Sequence, residues 1–281
     1  MELYTLDVGQ GAFAVLVGDK EAIIIDTHIP SKYATKKEEA VFIKAVLPKI
    51  LNGKKLKGII QTGFDSDHFN LIGLKMIMNK YKPKWIIYPS YYKDSQNADE
   101  CFKFIDEYDN KNKSFSKVPI GLTDIPKRWN FELSNEWSFE FFSPYRYDNE
   151  HSNNKSIVCK IHPKARTTRK FSILITGDTE SRRWNKIVRY FGDAIDADVL
   201  MAPHHGSKNG ITQEAYDLID PYHVLISAGT TNRYRHPHKD AINIFKSNGA
   251  LVCGTHKGGS LVTYRYRGQY YTDVYTDFDN L

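Results

Sequence analysis

The chain has 281 residues, of which 41% are hydrophobic and 26% charged, the balance of an ordinary folded protein. It carries a formal charge of +6, and its three cysteines, Cys101, Cys159 and Cys253, form no CxxC pair. No run approaches the roughly 20 apolar residues of a membrane span, and the N-terminus lacks a signal-peptide core, which argues against membrane and secreted classes. We expect a cytoplasmic protein with reduced thiols.

Apolar patterning predicts strands and helices that interleave along the whole chain. The predicted strands, in chain order, are LYTLDV, AFAVLVG, AIIID, KGIIQT, PKWIIYPS, SFEFFSP, SIVCKIH, FSILITGD, ADVLMAP, HVLISAG and an aromatic tail from ALVCGT to YYTDVY. The predicted helices are residues 37–52, LIGLKMIMNKY, ADECFKFIDEYD, residues 212–220 and KDAINIFKSNG. With neither a linker nor a repeat, residues 1–281 are expected to form a single α/β domain with at least two sheets, and 91–135 a surface insertion.

Acidic residues and a histidine follow the strand KGIIQT directly. The segment TGFDSDHFN places Asp65, Asp67 and His68 within four residues. A turn would allow these side chains to converge on one ion, whereas an extended strand would direct alternate residues to opposite faces. Carboxylate oxygens with imidazole nitrogen suit zinc, manganese or iron. An Asp-rich surface turn with an incidental histidine is the alternative interpretation.

Three further polar clusters also lie at predicted strand ends. ILITGDTE supplies Asp178, and APHHGS supplies His204 and His205, which point in different directions if they are adjacent at a strand end. The third cluster is SAGTTNRYRHPH, whose chemistry-bearing members are Asn232, Tyr234, His236 and His238. Each cluster alone is compatible with a surface turn. Because open α/β folds place their chemistry at strand ends, all four together predict a shared polar centre.

Basic residues are concentrated between Lys160 and Arg189. This segment contains nine Lys and Arg and only two acidic residues, Asp178 and Glu180. Such a concentration favours a polyanionic partner, with a solvated surface as the alternative.

Taken in order, the motifs DVGQGA, IIDT, DSDH, NNKS, LITGD, PHHGS and SAGTTNRYRHPH resemble the metallo-β-lactamase-fold domain at the C-terminus of ComEC-type DNA-uptake proteins and its stand-alone relatives. The resemblance runs from residue 1 to about residue 260. It implies a four-layer αββα sandwich, with metal bound at the edge where the two sheets meet.

The resemblance also assigns metal ligands to individual residues. Asp67 and His68 match the second metal position, Asp178 matches the aspartate that bridges two metals, and His204 or His205 completes the second position. Asp65 matches the middle ligand of the first position. Zinc or manganese, as one or two ions, is the cofactor that this assignment implies.

Several residues depart from the pattern of the family. Gly63 replaces the leading histidine of the first metal position, Asn70 replaces a glycine, and Ala12 and His28 stand where Asp and Gly are usual. We therefore expect one tightly bound metal, with the second weak, absent or held by an unusual ligand. His28 is a candidate to replace the missing imidazole, and a substrate contact or a surface position are its alternatives.

A metal-dependent hydrolase that activates water follows from this ligand set. A divalent cation lowers the pKa of water from about 15.7 to near 7. Asp65 or Asp67 would orient the water or take its proton. The available hydrogen-bond donors toward developing charge are His205, His236, His238 and Asn232.

The resemblance makes nucleic acid the expected substrate, so the predicted enzyme is a phosphodiesterase or nuclease. Small phosphodiesters are an alternative substrate. A further alternative is a catalytically degenerate module that binds nucleic acid or a partner protein, as in a defence system. A β-lactamase proper is disfavoured because the expected cytoplasmic location and the ComEC-like motifs both argue against it, and fold does not fix function.

Overall fold

The structure is a computed structural model that describes residues 1–29, 45–123, 133–165 and 167–276. The beginning of the predicted helix 37–52 therefore lies outside the described residues. The strands are β1 (Glu2–Thr5), β2 (Ala14–Val17), β3 (Glu21–Ile25), β4 (Lys55–Ile60), β5 (Trp85–Pro89), β6 (Ser116–Ile120), β7 (Trp137–Ser143), β8 (Val158–Pro163), β9 (Ile173–Ile175), β10 (Val199–Met201), β11 (His223–Ile226), β12 (Leu251–Gly254), β13 (Ser260–Tyr266) and β14 (Gln269–Tyr275). The helices are α1 (Leu47–Leu51), α2 (Leu71–Tyr81), α3 (Gln96–Lys111), α4 (Ser181–Phe191), α5 (Gln213–Ile219) and α6 (Lys239–Phe245).

Two sheets divide the strands between them. The first has the order β14-β13-β1-β2-β3-β4-β5-β6 and the second the order β12-β11-β10-β9-β8-β7. Strands β3 to β6 run parallel in the first sheet, and β9 to β12 run parallel in the second. The carboxyl ends of these parallel strands supply the loops that carry the predicted site residues.

Three hydrophobic clusters define four layers. One cluster packs α1, α2 and α3 against the first sheet, a second lies between the sheets, and a third packs α4, α5 and α6 against the second sheet. In β3, Ile23 belongs to the central cluster while Ile24 belongs to the helix-facing one, because successive side chains of a strand point to opposite faces. The predicted four-layer αββα sandwich is confirmed.

The segment 91–135 contains more structure than the expected helix and excursion. After α3, strand β6 pairs with β5 and forms one edge of the first sheet. Its sequence SKVPI is short, partly polar and contains Pro119, all of which suit an edge and weaken the apolar signal. Residues 124–132 lie outside the described residues. No helix in the described ranges has both the length and the apolarity needed to cross a membrane.

Candidate metal centre

Four of the predicted ligands meet at the edge between the two sheets. Asp67, His68, Asp178 and His205 each offer one ligand atom, and these atoms lie within 4.8 Å of one another. The first two follow β4 in one sheet, whereas Asp178 follows β9 and His205 follows β10 in the other. Both imidazoles and Asp178 are buried, and Asp67 is partly exposed. The centre therefore joins the two sheets.

The orientation of His68 is set by a buried carboxylate behind it. Its Nδ1 lies 2.8 Å from Asp26 Oδ2, and its Nε2 lies 2.9 Å from Asp178 Oδ1. Burial alone would lower the pKa of His68, but Asp178 and Asp26 raise it well above its ordinary value. With Nδ1 donating to Asp26, Nε2 is the nitrogen directed at the centre, the arrangement by which outer carboxylates orient histidine ligands.

Asp26 is itself held by a buried network on the neighbouring strand end. Its Oδ1 accepts hydrogen bonds from Gln61 Nε2 at 3.0 Å and from the Thr62 backbone N–H at 2.7 Å. The Thr62 hydroxyl donates to Oδ2 at 2.8 Å. Gln61 Nε2 also donates to the carbonyls of Gly63 and His68, which fixes the turn between them. This network makes the ligand loop rigid before any ion binds.

The two adjacent histidines separate into different roles. Both have positive φ values, 48° for His204 and 54° for His205, so the backbone turns sharply after β10. His205 Nδ1 donates to the Ser227 carbonyl at 2.7 Å, and its Nε2 is 3.2 Å from His68 Nε2. His204 instead places Nδ1 3.3 Å from Glu180 Oε1. The structure thus brings His205, and not His204, into the four-ligand cluster.

The two carboxylates of the cluster are strongly perturbed. Burial alone would raise both pKa values, but His68 and His205 hold the pKa of Asp178 far below its ordinary value. A hydrogen bond from His205 and the charge of His68 similarly hold the pKa of Asp67 at about 2. The Asp178 backbone N–H donates to Ser156 Oγ at 3.1 Å, which anchors the turn after β9. Both carboxylates are thus ionised and available to a cation.

Asp65 lies outside the four-ligand cluster, although it lines the same cavity. Its carboxylate pairs with the ammonium of Lys93, from the segment after β5. Its backbone carbonyl accepts hydrogen bonds from the N–H groups of His68 and Phe69, at 2.9 and 2.8 Å, and so closes the ligand turn. The charge of this predicted ligand is balanced by a protein cation.

His28 lines the cavity without joining the cluster. Its Nδ1 lies 2.8 Å from the Ser66 carbonyl oxygen, and burial lowers its pKa. Asn70, one of the departures from the family pattern, caps helix α2: its Oδ1 accepts from the Gly73 N–H at 2.9 Å. The substitution at position 70 therefore has a structural role.

The fourth polar cluster forms one wall of the centre. Asn232 donates to the carbonyls of Gly229 and His236 and accepts from the His236 N–H, so its side chain shapes the loop. His236 is 8% exposed, and burial with the neighbouring His204 lowers its pKa to about 4. His238 Nδ1 accepts from the Lys208 N–H at 3.0 Å. Of these three predicted donors, Asn232 and His236 line the cavity.

An open cavity of about 670 Å³ lies over the cluster. Asp67, Asp178 and His205 are among its lining residues, and His204, Arg233 and Tyr234 form part of its walls. The cavity is large enough for a phosphodiester with the groups on either side of it.

The predicted basic segment is partly paired with acidic side chains in its described part, which omits Arg166. Acidic side chains pair with five of its members: Lys160–Asp196, Lys170–Asp19, Arg182–Glu150, Arg183–Asp148 and Lys186–Glu150. Arg183 is fully buried. These carboxylates reduce the positive charge of the segment without cancelling it, so the expected polyanionic partner stays a prediction.

Comparison with known proteins supports the same architecture. No protein-family model matches the chain. It is 27% identical over 290 residues to ComE operon protein 3 of Bacillus subtilis (strain 168), a match that covers 99% of this chain and 35% of that protein. It is 25% identical over 235 residues to Recombination protein 2 of Haemophilus influenzae, covering 83% of this chain and 25% of that protein. The chain thus spans about a third or less of the length of these relatives.

A solved structure with similar architecture is Igni18, described as a novel metallo hydrolase from the archaeon Ignicoccus hospitalis. Its TM-score is 0.51 at 14% sequence identity, and the match covers 93% of this chain and 98% of that one. The chain has the metallo-β-lactamase fold. The resemblance to ComEC-type proteins is confirmed at low identity.

Sequence reasoning missed several residues that build the centre of this metallo-β-lactamase fold. Asp26 was visible in the motif IIDT, directly after a strand, but received no role. Lys93 carried no signal, because its partner Asp65 is 28 residues away in sequence. Arg233 lies inside the motif SAGTTNRYRHPH, where the neighbouring histidines gave the stronger signal for metal chemistry.

Proposed function

We propose that this chain is a metal-dependent hydrolase of phosphodiesters, with nucleic acid as its substrate. The observation that carries the proposal is the cluster of Asp67, His68, Asp178 and His205 beneath an open cavity. Buried carboxylates and imidazoles converge there with orienting hydrogen bonds behind them, as expected of a metal site that retains room for substrate.

The donor set fits a divalent cation such as zinc or manganese. Imidazole nitrogen suits zinc and carboxylate oxygen suits manganese, so a set of two carboxylates and two imidazoles accepts either ion. The charges favour one ion: the carboxylates of Asp67 and Asp178 balance a divalent cation, while Asp65 is already balanced by Lys93. We therefore expect one metal per chain.

The chemistry of hydrolysis is divided between the ion and the chain. A bound divalent cation supplies Lewis acidity and makes hydroxide available near neutral pH. Asp26 keeps His68 in the tautomer that directs Nε2 inward, and Ser227 does the same for His205. His204 and His236 line the cavity wall, where their ring nitrogens can donate to phosphate oxygens or to the leaving group.

The choice of nucleic acid rests on sequence relatives and on the cavity. One relative is named Recombination protein 2. The match to ComE operon protein 3 covers 99% of this chain. The cavity is open and polar, with Arg233 at its rim. These features favour an anionic chain over a small apolar substrate.

Metal content tests the proposal directly. Elemental analysis of the wild-type protein should give close to one zinc or manganese per chain, and Asp178→Ala should lose it. Asp198→Ala is the matched control, because Asp198 lies before β10 and accepts from Ser172 and Tyr270 instead of facing the centre. Equal metal content in all three proteins would overturn the assignment of the site.

Activity is then measured with bis(p-nitrophenyl) phosphate and with single-stranded DNA, in the presence of Mn²⁺ or Zn²⁺. Turnover that Asp178→Ala abolishes and Asp198→Ala retains is the expected result. A protein that binds metal yet cleaves neither substrate would point to the degenerate binding module. Cleavage of the small diester alone would point to a small-molecule phosphodiesterase.

A further inference from the structure

Four planar groups form a column that leads from the metal centre to the protein surface. The ring of His236 lies 6.3 Å from that of His205, with an interplanar angle of 21°, and 5.6 Å from that of Tyr234, at 23°. The guanidinium of Arg233 sits over the outer face of this tyrosine, 4.6 Å from the ring centroid. The column places a fixed positive charge at the rim of the catalytic cavity.

The loop that carries the column is held from within. Asn232 accepts from the His236 N–H at 2.8 Å and donates to the carbonyl of the same residue at 2.8 Å. Arg235 has a φ of 57°, in the left-handed region, so the chain reverses between the two arginines. A cation held over an aromatic ring on a closed loop loses little freedom when it binds an anion.

A second concavity adjoins the catalytic cavity across this loop. It has a volume of about 720 Å³ and is lined by both Arg233 and Arg235. His236 and Arg233 line both concavities, so the two share this loop as a common wall. Within the described residues, neither arginine forms an ion pair with a carboxylate. In the basic segment 160–189, by contrast, five of the cations are paired with carboxylates.

We propose that Arg233 and Arg235 form a phosphate subsite beside the metal centre, which selects a single-stranded nucleic acid over a substrate with one phosphate. The proposal rests on the proposed function, because it assumes that the scissile phosphate lies over the four-ligand cluster. A phosphate farther along the strand then meets Arg233, which lies beyond His236 and Tyr234 in the column. Arginine suits this role because its planar donors match phosphate oxygens.

A small diester has no second phosphate to place in this subsite. Such a substrate would reach the metal centre without using either arginine. The contribution of the arginines is therefore expected only with substrates of two or more linked nucleotides, and this difference separates the two substrate classes.

Binding to the metal-free protein tests the subsite without any need for turnover. The probe is a terminally fluorescein-labelled hexathymidylate, and its anisotropy is followed in EDTA over a range of salt concentrations. Arg233→Ala should weaken binding by about ten-fold, the usual effect of losing a hydrogen-bonded charge. The slope of log K against log salt should fall by about 0.7 for each phosphate that no longer meets an arginine. Arg235→Ala should behave similarly.

Arg267→Ala provides a matched control. Arg267 is also exposed, also has positive φ at 49°, and lies over the Tyr266 ring at 5.2 Å, but it sits in the turn between β13 and β14. Its removal should change neither affinity nor salt slope. If Arg267→Ala weakens binding as much as Arg233→Ala, the interaction is general charge attraction and the proposed subsite is refuted.

We expect Tyr234 to act as a positioning residue that holds the Arg233 guanidinium over its ring. Tyr234→Phe removes the hydroxyl that accepts from Arg233 Nη2 but keeps the ring beneath the guanidinium, so it should retain affinity within about two-fold. Tyr234→Leu removes the ring and should reproduce most of the Arg233→Ala defect. Equal behaviour of the two variants would overturn the role of the stack.

Kinetics distinguish failure of the subsite from failure of the proposed function. If the enzyme cleaves hexathymidylate, Arg233→Ala should lower kcat/KM about ten-fold more for hexathymidylate than for bis(p-nitrophenyl) phosphate. Cleavage with equal effects on both substrates overturns the subsite and leaves the hydrolase. Selective loss of binding without any turnover supports the subsite and rejects the hydrolase.

Discussion

Replacing Asp26 by Asn should weaken metal binding although Asp26 is not among the four ligands. The carboxylate oxygen Oδ2 faces His68 Nδ1 at 2.8 Å, and Oδ1 accepts from Gln61 and Thr62. Asn keeps the shape and one acceptor, so Oδ1 can still satisfy Gln61 and Thr62. The new amide group then faces His68 Nδ1, and two donors cannot share one hydrogen bond.

The conflict is relieved when His68 moves its proton to Nε2, the nitrogen that points at the metal centre. That tautomer cannot ligate, so binding must first restore the other one. Losing an outer-sphere carboxylate typically costs about 10- to 100-fold in metal affinity, or about 1.4 to 2.8 kcal/mol. We expect Asp26→Asn to fall in this range.

Competition with a zinc-chelating dye at neutral pH measures the affinity. The control is Asp198→Asn, whose carboxylate accepts from the Ser172 N–H at 2.6 Å and from the Tyr270 hydroxyl at 2.6 Å, far from the ligands. That variant should bind zinc like the wild type even if its stability falls. Wild-type affinity in Asp26→Asn, with its fold confirmed by circular dichroism, would refute the tautomer argument.

Three further predictions concern stability and reactivity. Gly73→Ala should lower the free energy of unfolding by about 1–3 kcal/mol in urea denaturation, because an added Cβ would collide with the Thr27 carbonyl oxygen and must displace helix α2. Iodoacetamide at neutral pH should leave the buried Cys101 and Cys159 unmodified until the protein unfolds, since burial raises the pKa of Cys101 to about 12 and that of Cys159 well above its ordinary value; mass spectrometry counts the adducts. Saturating zinc should raise the Tm of the EDTA-treated protein. At a thousand-fold excess of zinc over Kd, the free energy of unfolding should rise by about 4 kcal/mol, and an unchanged Tm would contradict binding to the folded state.

The interleaved strands and helices followed from the hydrophobic pattern because most strands are buried, whereas the four-layer sandwich came from the family resemblance. Runs such as AIIID and FSILITGD have few alternatives to a buried strand, and the polar residues after them must lie at a sheet edge. That reasoning placed Asp67, His68 and Asp178 near one another without any tertiary information. Strand β6 was not predicted from the hydrophobic pattern, because an edge strand is less buried and its sequence can be less apolar.

Two features could not be predicted from the sequence. These are the backbone torsion angles and the pairing of charged side chains that lie far apart in the chain. The choice between His204 and His205 depends on two successive left-handed residues, which no composition rule reveals. The pairing of Asp65 with Lys93 depends on how the segment after β5 returns over the ligand loop. Local chemistry was therefore readable, whereas the assignment of each charge to a partner required the fold.

The proposed metal ligands come from both sheets, and this has a consequence for how the chain resists unfolding. His68 and Asp178 are 110 residues apart in sequence yet 2.9 Å apart in space. An ion shared between them would act as a reversible cross-link that closes a long loop, much as a disulfide does. Unlike a disulfide, it would open whenever free metal became scarce, so the resistance of the protein to proteolysis would follow the metal supply around it.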